Sequence, residues 1–117
     1  MALKDRMAVL AQPSEVDAFL AEHPLAVVFK AGMCHRSDET FARIVPLLET
    51  RADVPFAVIH VIQARAASDH LAARTGLRHE SPQLLVFRDG TLVASRNHWD
   101  ITEDALTGAL SGRLAAV

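Results

Sequence analysis

The stretch LAVVFKAGMCHRS, residues 25–37, contains the change of pattern that decides the fold. Residues 25–29 form a continuous apolar run with β-branched side chains, which predicts a strand that is buried on both faces, as in a parallel sheet. Gly32 interrupts this pattern, and a helical period of apolar residues begins after Cys34. The apolar positions of that helix are Phe41, Ile44, Val45 and Leu48. The chain is therefore predicted to change from strand to helix at Cys34.

Strands and helices alternate on both sides of this switch. A short leading strand is weakly indicated, and Ser14 with Asp17 predicts the start of a helix that ends by His23, because Pro24 follows. The elements predicted after the switch are a strand at residues 56–62, a helix at 64–75 closed by Gly76, a hairpin of strands at 84–87 and 91–94, and a helix capped by Thr102. Right-handed crossovers would make the two buried strands parallel. The order resembles that of thioredoxin-like domains, which implies an α/β fold with a central mixed sheet of four or five strands flanked by helices on both faces.

Length and composition exclude several classes of protein. A chain of 117 residues, half of them apolar, suits one domain over residues 1–117 with one hydrophobic core. The net charge of −2 and the absence of a basic run give no electrostatic argument for binding nucleic acid. The apolar runs are far shorter than the roughly 20 residues of a membrane-spanning helix, and the charged N-terminus lacks the apolar core of a signal peptide. We therefore expect a cytoplasmic protein without a membrane partner.

The single cysteine has two interpretations. A lone cysteine is more often a small buried hydrophobic residue than a nucleophile. Cys34, however, has polar neighbours and lies where a strand of an α/β sheet gives way to a helix, a place where chemistry concentrates. Free helix N–H groups would stabilise a thiolate there, Lys30, His35 and Arg36 would add positive charge, and the Ser37 hydroxyl could donate to the sulfur. Position alone leaves both interpretations open.

Two motifs in the second half of the chain carry a family resemblance. Residues 79–83 read HESPQ and residues 98–102 read HWDIT. Together they closely resemble the monothiol bacilliredoxins, thioredoxin-like proteins of bacteria that use bacillithiol as their small thiol, over residues 27–110. The resemblance implies that Cys34 is the reactive cysteine, that Ser37 is the serine three residues after it, and that Pro82 is a cis-proline opposite the sulfur. The family usually has Cys-Pro-Ile-Ser at this site, whereas this chain has Cys-His-Arg-Ser.

The resemblance implies a thiol–disulfide oxidoreductase that removes a small thiol from mixed disulfides on S-thiolated client proteins. Bacillithiol is the expected co-substrate, no bound cofactor is expected, and the oligomeric state is left open. With one cysteine in the chain, a second thiol molecule or a dithiol partner must resolve the enzyme. The residues expected to be catalytic are Cys34, Ser37 and Pro82, and those expected to bind substrate are Lys30, His35, Arg36, His79 and Ser81.

Two other functions stay open. One is a glutaredoxin-like carrier of an iron–sulfur cluster, held by Cys34 and an external thiol in a dimer. The other is a thioredoxin-fold binding module without catalytic activity. The six histidines show no spacing typical of metal ligands, so no metal site is expected. Trp99 could be a binding platform or a lid on the last helix, and the lid is the favoured interpretation.

Overall fold

The computed structural model describes residues 3–112. The helices are α1 Leu3–Arg6, α2 Pro13–Glu22, α3 His35–Thr50, α4 Arg65–Thr75 and α5 Glu103–Leu110, with a short 3-10 helix at His98–Asp100. The strands are β1 Ala8–Val9, β2 Leu25–Ala31, β3 Phe56–His60, β4 Gln83–Arg88 and β5 Thr91–Asn97. They form one five-stranded sheet in the order β1-β3-β2-β4-β5. β1, β3 and β2 run parallel to one another, whereas β4 is antiparallel to both of its neighbours, β2 and β5. The predicted mixed sheet is therefore confirmed.

The sheet separates two hydrophobic cores, and alternate residues of β2 contribute to each. Val27 and Phe29 belong to the core formed with α1, α3 and α5. Ala26 and Val28 belong to the core formed with α2 and α4. Successive side chains of a strand point to opposite faces, so a central strand covered on both sides must be apolar throughout. This explains the continuous apolar run at residues 25–29 and confirms helices on both faces.

The start of α2 differs from the prediction. The helix begins at Pro13, with Gln12 as its N-cap, and the Glu15 carboxylate accepts the N–H of Gln12 at 2.9 Å. Pro13 suits the first helical position because its fixed φ is already helical and its missing N–H would have had no partner. The predicted capping by Ser14 and Asp17 is therefore wrong. Asp17 instead pairs with His70 and Arg74, which joins α2 to α4.

The predicted turns and caps after the switch are confirmed. Asp89 and Gly90 both have positive φ, 52° and 78°, the conformation of the tight turns that join two antiparallel strands. The Thr102 hydroxyl accepts the N–H of Ala105 at 3.1 Å and caps α5. The hairpin places β5 at the edge of the sheet, with the 3-10 helix at its end. Within residues 3–112, no helix has the length and apolar character needed to cross a membrane.

Candidate active site

Cys34 lies at the junction between the end of β2 and the start of α3. It is the N-cap of α3, with extended backbone angles of φ −114° and ψ 159°. Its thiol is free and the residue is exposed to solvent. The predicted strand-to-helix switch is confirmed, and the alternative of a small buried hydrophobic cysteine is wrong. An exposed sulfur at the carboxyl edge of the sheet is accessible to a disulfide arriving from solvent.

Ser37 is the side chain that the fold holds against this sulfur. Its Oγ lies 3.5 Å from the Cys34 Sγ and accepts the backbone N–H of Gly32 at 2.9 Å. Because that N–H occupies the oxygen as an acceptor, the hydroxyl proton is available for the sulfur. Ser37 is buried, so the position of its hydroxyl is fixed by its surroundings.

The pKa of the Cys34 thiol is lowered from its ordinary value, chiefly by the hydrogen bond from the Ser37 hydroxyl. The backbone amides of Ser37 and Arg36 and the charge of Arg36 lower the pKa further, while slight burial opposes them. These amides belong to the first turn of α3, where N–H groups have no partner within the helix. The predicted contribution of Arg36 is therefore supported, whereas Lys30 and His35 are not among the groups that lower this pKa.

The Ser81–Pro82 loop lies against Gly32, between the end of β2 and the start of α3. The Ser81–Pro82 peptide bond is cis, as predicted, and Pro82 is buried. A Cβ placed on Gly32 would lie 2.6 Å from the Ser81 Oγ and 3.4 Å from the Ser37 Oγ. Gly32 is therefore the point where the loop, the start of α3 and the end of β2 meet. A side chain at this position would force the Ser81 hydroxyl to move, and glycine avoids that contact.

We call residues 78–83, which include Pro82, the proline wall. Several polar contacts join this segment to the end of β5. The Gln83 amide donates to the Asn97 Oδ1 at 3.0 Å and to the Arg78 carbonyl at 3.3 Å. The Pro82 carbonyl accepts the His98 N–H at 3.0 Å, and the Glu80 carboxylate lies 3.2 Å from the His98 Nε2. The two motifs that carry the family resemblance thus contact each other. Sequence reasoning assigned no role to Gln83 or Glu80, although both lie within HESPQ.

Lys30 forms a polar contact with His79 of the proline wall. Lys30 follows Val28 on the face of the sheet that α4 covers, and its side chain is fully buried. The Lys30 Nζ lies 3.4 Å from the His79 Nδ1, and the Ser68 Oγ of α4 lies 3.2 Å from the same nitrogen. Burial disfavours the ammonium ion and lowers the pKa of Lys30 to about 8. Burial and the charge of Lys30 also lower the pKa of His79. The structure therefore buries Lys30 away from solvent, and the substrate contact expected of it stays a prediction.

A cavity of about 520 Å³ opens beside the sulfur on its other side, and we call it the Trp99 groove. Its lining consists of Cys34, His35, Arg36, Glu39 and Trp99. The guanidinium carbons of Arg36 and Arg43 lie 5.7 and 5.1 Å from the centre of the indole ring. His35 pairs with Glu39 at 3.6 Å. The favoured interpretation of Trp99 as a lid on the last helix is wrong, since the ring lies against α3 and in the wall of the cavity.

The residues grouped here are those of a thiol site. The fold brings Cys34, Ser37, His35 and Arg36 together at the start of α3, and Ser81 approaches them through Gly32. His79 contacts Lys30 from within the proline wall. Over residues 3–112, no group of three or more histidine, cysteine or carboxylate side chains is arranged to hold a metal ion.

Comparison with known proteins agrees with this geometry. Residues 8–106 match the family model of the monothiol bacilliredoxin BrxC. A solved structure described as a candidate oxidoreductase with a thioredoxin fold is 27% identical, with a TM-score of 0.86 over 94% of this chain and 98% of that chain. The thioredoxin of Fasciola hepatica is 22% identical, with a TM-score of 0.74 over 92% of this chain and all of that chain. Mitochondrial thioredoxin 3 of Saccharomyces cerevisiae is 15% identical, with a TM-score of 0.73 over 91% and 94% of the two chains.

The family match covers the β2–α3 junction, the proline wall and the Trp99 groove. Together these matches establish the thioredoxin fold and support thiol–disulfide oxidoreductase chemistry in general. The chain belongs to the monothiol bacilliredoxin family.

Proposed function

We propose that the protein removes a low-molecular-weight thiol, bacillithiol, from mixed disulfides on client proteins. The observation that carries the proposal is the exposed Cys34 sulfur, whose pKa is lowered, beside a serine hydroxyl in place of a second thiol. A lowered pKa increases the fraction of the thiol present as thiolate, the form that attacks disulfides.

In the first step, the Cys34 thiolate attacks the small-thiol sulfur of the mixed disulfide. The sulfur–sulfur bond to the client breaks, and the client leaves as a thiolate that takes a proton from water. A new disulfide joins Cys34 to the small thiol. The client sulfur is reduced and the Cys34 sulfur is oxidised, so no external electron donor takes part in this step.

The second step needs a thiol from another molecule, because the chain has a single cysteine. A small thiolate attacks the small-thiol sulfur of the Cys34 adduct and releases the Cys34 thiolate together with an oxidised small-thiol dimer. The Ser37 hydroxyl cannot perform this attack, since a hydroxyl at neutral pH is a far weaker nucleophile than a thiolate. The cycle needs a reduced small-thiol pool, which a cytoplasm supplies, and no bound cofactor.

The proline wall is the proposed contact for the client side of the mixed disulfide. Ser81 approaches Gly32 and Ser37 next to the sulfur, and residues 78–83 are fixed to β5 and the 3-10 helix. A fixed backbone segment can pair with an extended peptide as a short added strand. His79 belongs to the same segment and is partly open to solvent, so it is proposed to contact this peptide as well.

The test is de-thiolation of a model protein that carries one bacillithiol mixed disulfide, followed by intact mass. The wild-type protein is expected to release the client thiol and to gain one bacillithiol on Cys34. That adduct should persist until a thiol is added. Cys34→Ser should gain no adduct and release no client.

Two results would contradict the proposal. One is release of the client without any adduct on the wild-type protein. The other is reaction of Cys34 with bacillithiol disulfide no faster than an ordinary exposed cysteine, which is the behaviour of a catalytically inactive binding module. Equal rates with bacillithiol disulfide and glutathione disulfide would contradict the choice of bacillithiol while leaving the exchange chemistry in place.

A further inference from the structure

The geometry of the Trp99 groove points to a subsite for a carboxylate, which we propose binds the acid group of the small thiol while its sulfur is joined to Cys34. Arg36 and Arg43 supply the positive charge of this subsite, and Trp99 positions both guanidinium groups. This inference rests on the proposed function and specifies the substrate class: small thiols that bear a carboxylate some distance from their sulfur.

The two arginines are free to bind an anion. Within residues 3–112, neither forms an ion pair with a carboxylate, whereas Arg51, Arg74 and Arg78 each do. Arg36 and Arg43 are exposed, so a ligand from solvent can reach their N–H groups. A guanidinium that stacks on an aromatic ring keeps its in-plane donors available and can bind a carboxylate through two parallel hydrogen bonds.

The spacing of the arginines fits a small thiol. Arg36 and Arg43 lie seven positions apart on α3, about 10 Å along the helix axis at the backbone, yet both guanidinium groups lie beside the same indole ring. Because Arg36 is two residues from Cys34, a carboxylate bound at this ring can belong to a small thiol whose sulfur is joined to Cys34. The cavity beside the sulfur, about 520 Å³, is within the range of pockets that hold small ligands.

Glu39 is the one carboxylate in the lining of the groove, and it opposes anion binding. It pairs with His35 at 3.6 Å, on the same helix and one turn away. Arg36 in the lining and Arg43 beside the Trp99 ring together carry two positive charges against the one negative charge of Glu39. Glu39→Gln should therefore increase the preference for an anionic thiol, the opposite of the effect of removing an arginine.

The experiment measures the rate of adduct formation on Cys34 with two probes, oxidised glutathione and the disulfide of its glycine ethyl ester. The probes share the same sulfur chemistry and differ by the esterified carboxylate. The ratio of the two rates thus cancels any effect of a variant on the thiol pKa. Trp99 is the only tryptophan and is 47% exposed beside the sulfur, so its fluorescence provides a second readout of occupancy.

The wild-type protein is expected to react roughly threefold to tenfold faster with the acid than with the ester at low salt, and the ratio should fall towards one at high salt. Arg36→Gln and Arg43→Gln should each lower the ratio, and Glu39→Gln should raise it. Arg51→Gln, which removes the same charge from the far end of α3, is the matched control and should leave the ratio unchanged.

The inference is overturned if both arginine variants keep the wild-type ratio, or if Arg51→Gln lowers it equally. If de-thiolation is normal, either result would contradict the carboxylate subsite without contradicting the proposed function. Failure of the wild-type protein to form an adduct with either probe would overturn the inference, and failure to form one with bacillithiol disulfide as well would overturn the proposed function.

Discussion

The two sides of the Cys34 sulfur are built in opposite ways. The proline wall, residues 78–83, is held by a buried glutamine amide, a contact between the Glu80 carboxylate and the His98 ring, and a backbone hydrogen bond. The Trp99 groove consists of exposed side chains of α3 and the 3-10 helix, held by contacts with one aromatic ring and a single exposed contact between His35 and Glu39. In the proposed function, the fixed backbone of the wall faces the client peptide, and the adaptable side chains of the groove face the small thiol.

Most of the difference arises from burial. Gln83 is almost fully buried, and a buried amide requires partners because water cannot replace them. Exposed contacts such as His35–Glu39 contribute little to stability, since solvent competes for both groups. The wall should therefore be sensitive to substitution in both stability and exchange, whereas the groove should be sensitive only in its choice of thiol.

The largest effect is expected from a second thiol placed beside Cys34 in the same chain. In Ser37→Cys, the new thiol would lie close to Cys34, where the Ser37 Oγ is now 3.5 Å from the sulfur. It should attack the mixed disulfide and expel the small thiol, shortening the lifetime of the adduct by about 100-fold or more. Intact mass against time measures this lifetime. A persistent adduct in the folded variant would show that the two positions do not meet.

The next effect tests the rigidity of the proline wall. Gln83→Leu removes the donor to the Asn97 amide oxygen and the Arg78 carbonyl, leaving two partly buried acceptors unpaired. We expect a loss of about 1 to 3 kcal/mol in the free energy of unfolding and slower exchange in the folded variant. Chemical denaturation and adduct formation measure the two. Gln63→Leu at an exposed position is the matched control, and equal behaviour of the two variants would argue against a fixed wall.

The burial of Lys30 at its contact with His79 predicts that the free energy of unfolding depends on pH. The pKa of Lys30 in the folded chain, about 8, lies below its ordinary value of 10.5, so the unfolded chain binds more protons between these values. Stability should therefore rise as pH increases from about 8 to 10.5.

Lys30→Met removes this dependence. The variant should be more stable than the wild-type protein at pH 7, by at most about 3 kcal/mol, and the difference should diminish by pH 10. Thermal unfolding at several pH values measures it. Lys4→Met, which removes an exposed lysine, is the control. A constant difference between the Lys30 variant and wild type at all pH values would contradict the assignment of a low pKa to Lys30.

The smallest effect concerns the sulfur itself. Ser37→Ala removes the main hydrogen bond that lowers the pKa of Cys34, so this pKa should rise. Below the wild-type pKa, alkylation should slow by roughly threefold to tenfold, and the difference should vanish at a pH above both values. Alkylation rate against pH measures it, with Ser14→Ala at an exposed position as control. An unchanged profile would show that the backbone amides, and not the Ser37 hydroxyl, lower the pKa of Cys34.

Local patterns predicted the fold better than the site. The strand-to-helix switch at Cys34, the Asp89-Gly90 turn and the Thr102 cap depend on neighbouring residues, so their signals are contained in short stretches. The start of α2 was misplaced because Pro13 competes with Ser14 for the helix start.

The contacts that shape the site join distant segments. Lys30 and His79 are separated by 49 positions, and their meeting depends on α4 covering one face of β2. Trp99 lies against α3 because the left-handed backbone of His98, with φ of 53°, turns the chain after β5. Neither periodicity nor composition contains this information. The exception is Ser37, whose spacing of one helical turn from Cys34 indicated its hydrogen bond.

The origin of the lowered thiol pKa has a consequence for the two residues between Cys34 and Ser37. Ser37 and two backbone amides supply most of the effect, and the charge of Arg36 comes last. Positions 35 and 36 are therefore nearly free of the demands of the chemistry, and this chain carries His-Arg where its family usually has Pro-Ile. Under the proposed function, substitutions at these two positions would change the choice of small thiol while leaving the reactivity of Cys34 nearly unchanged.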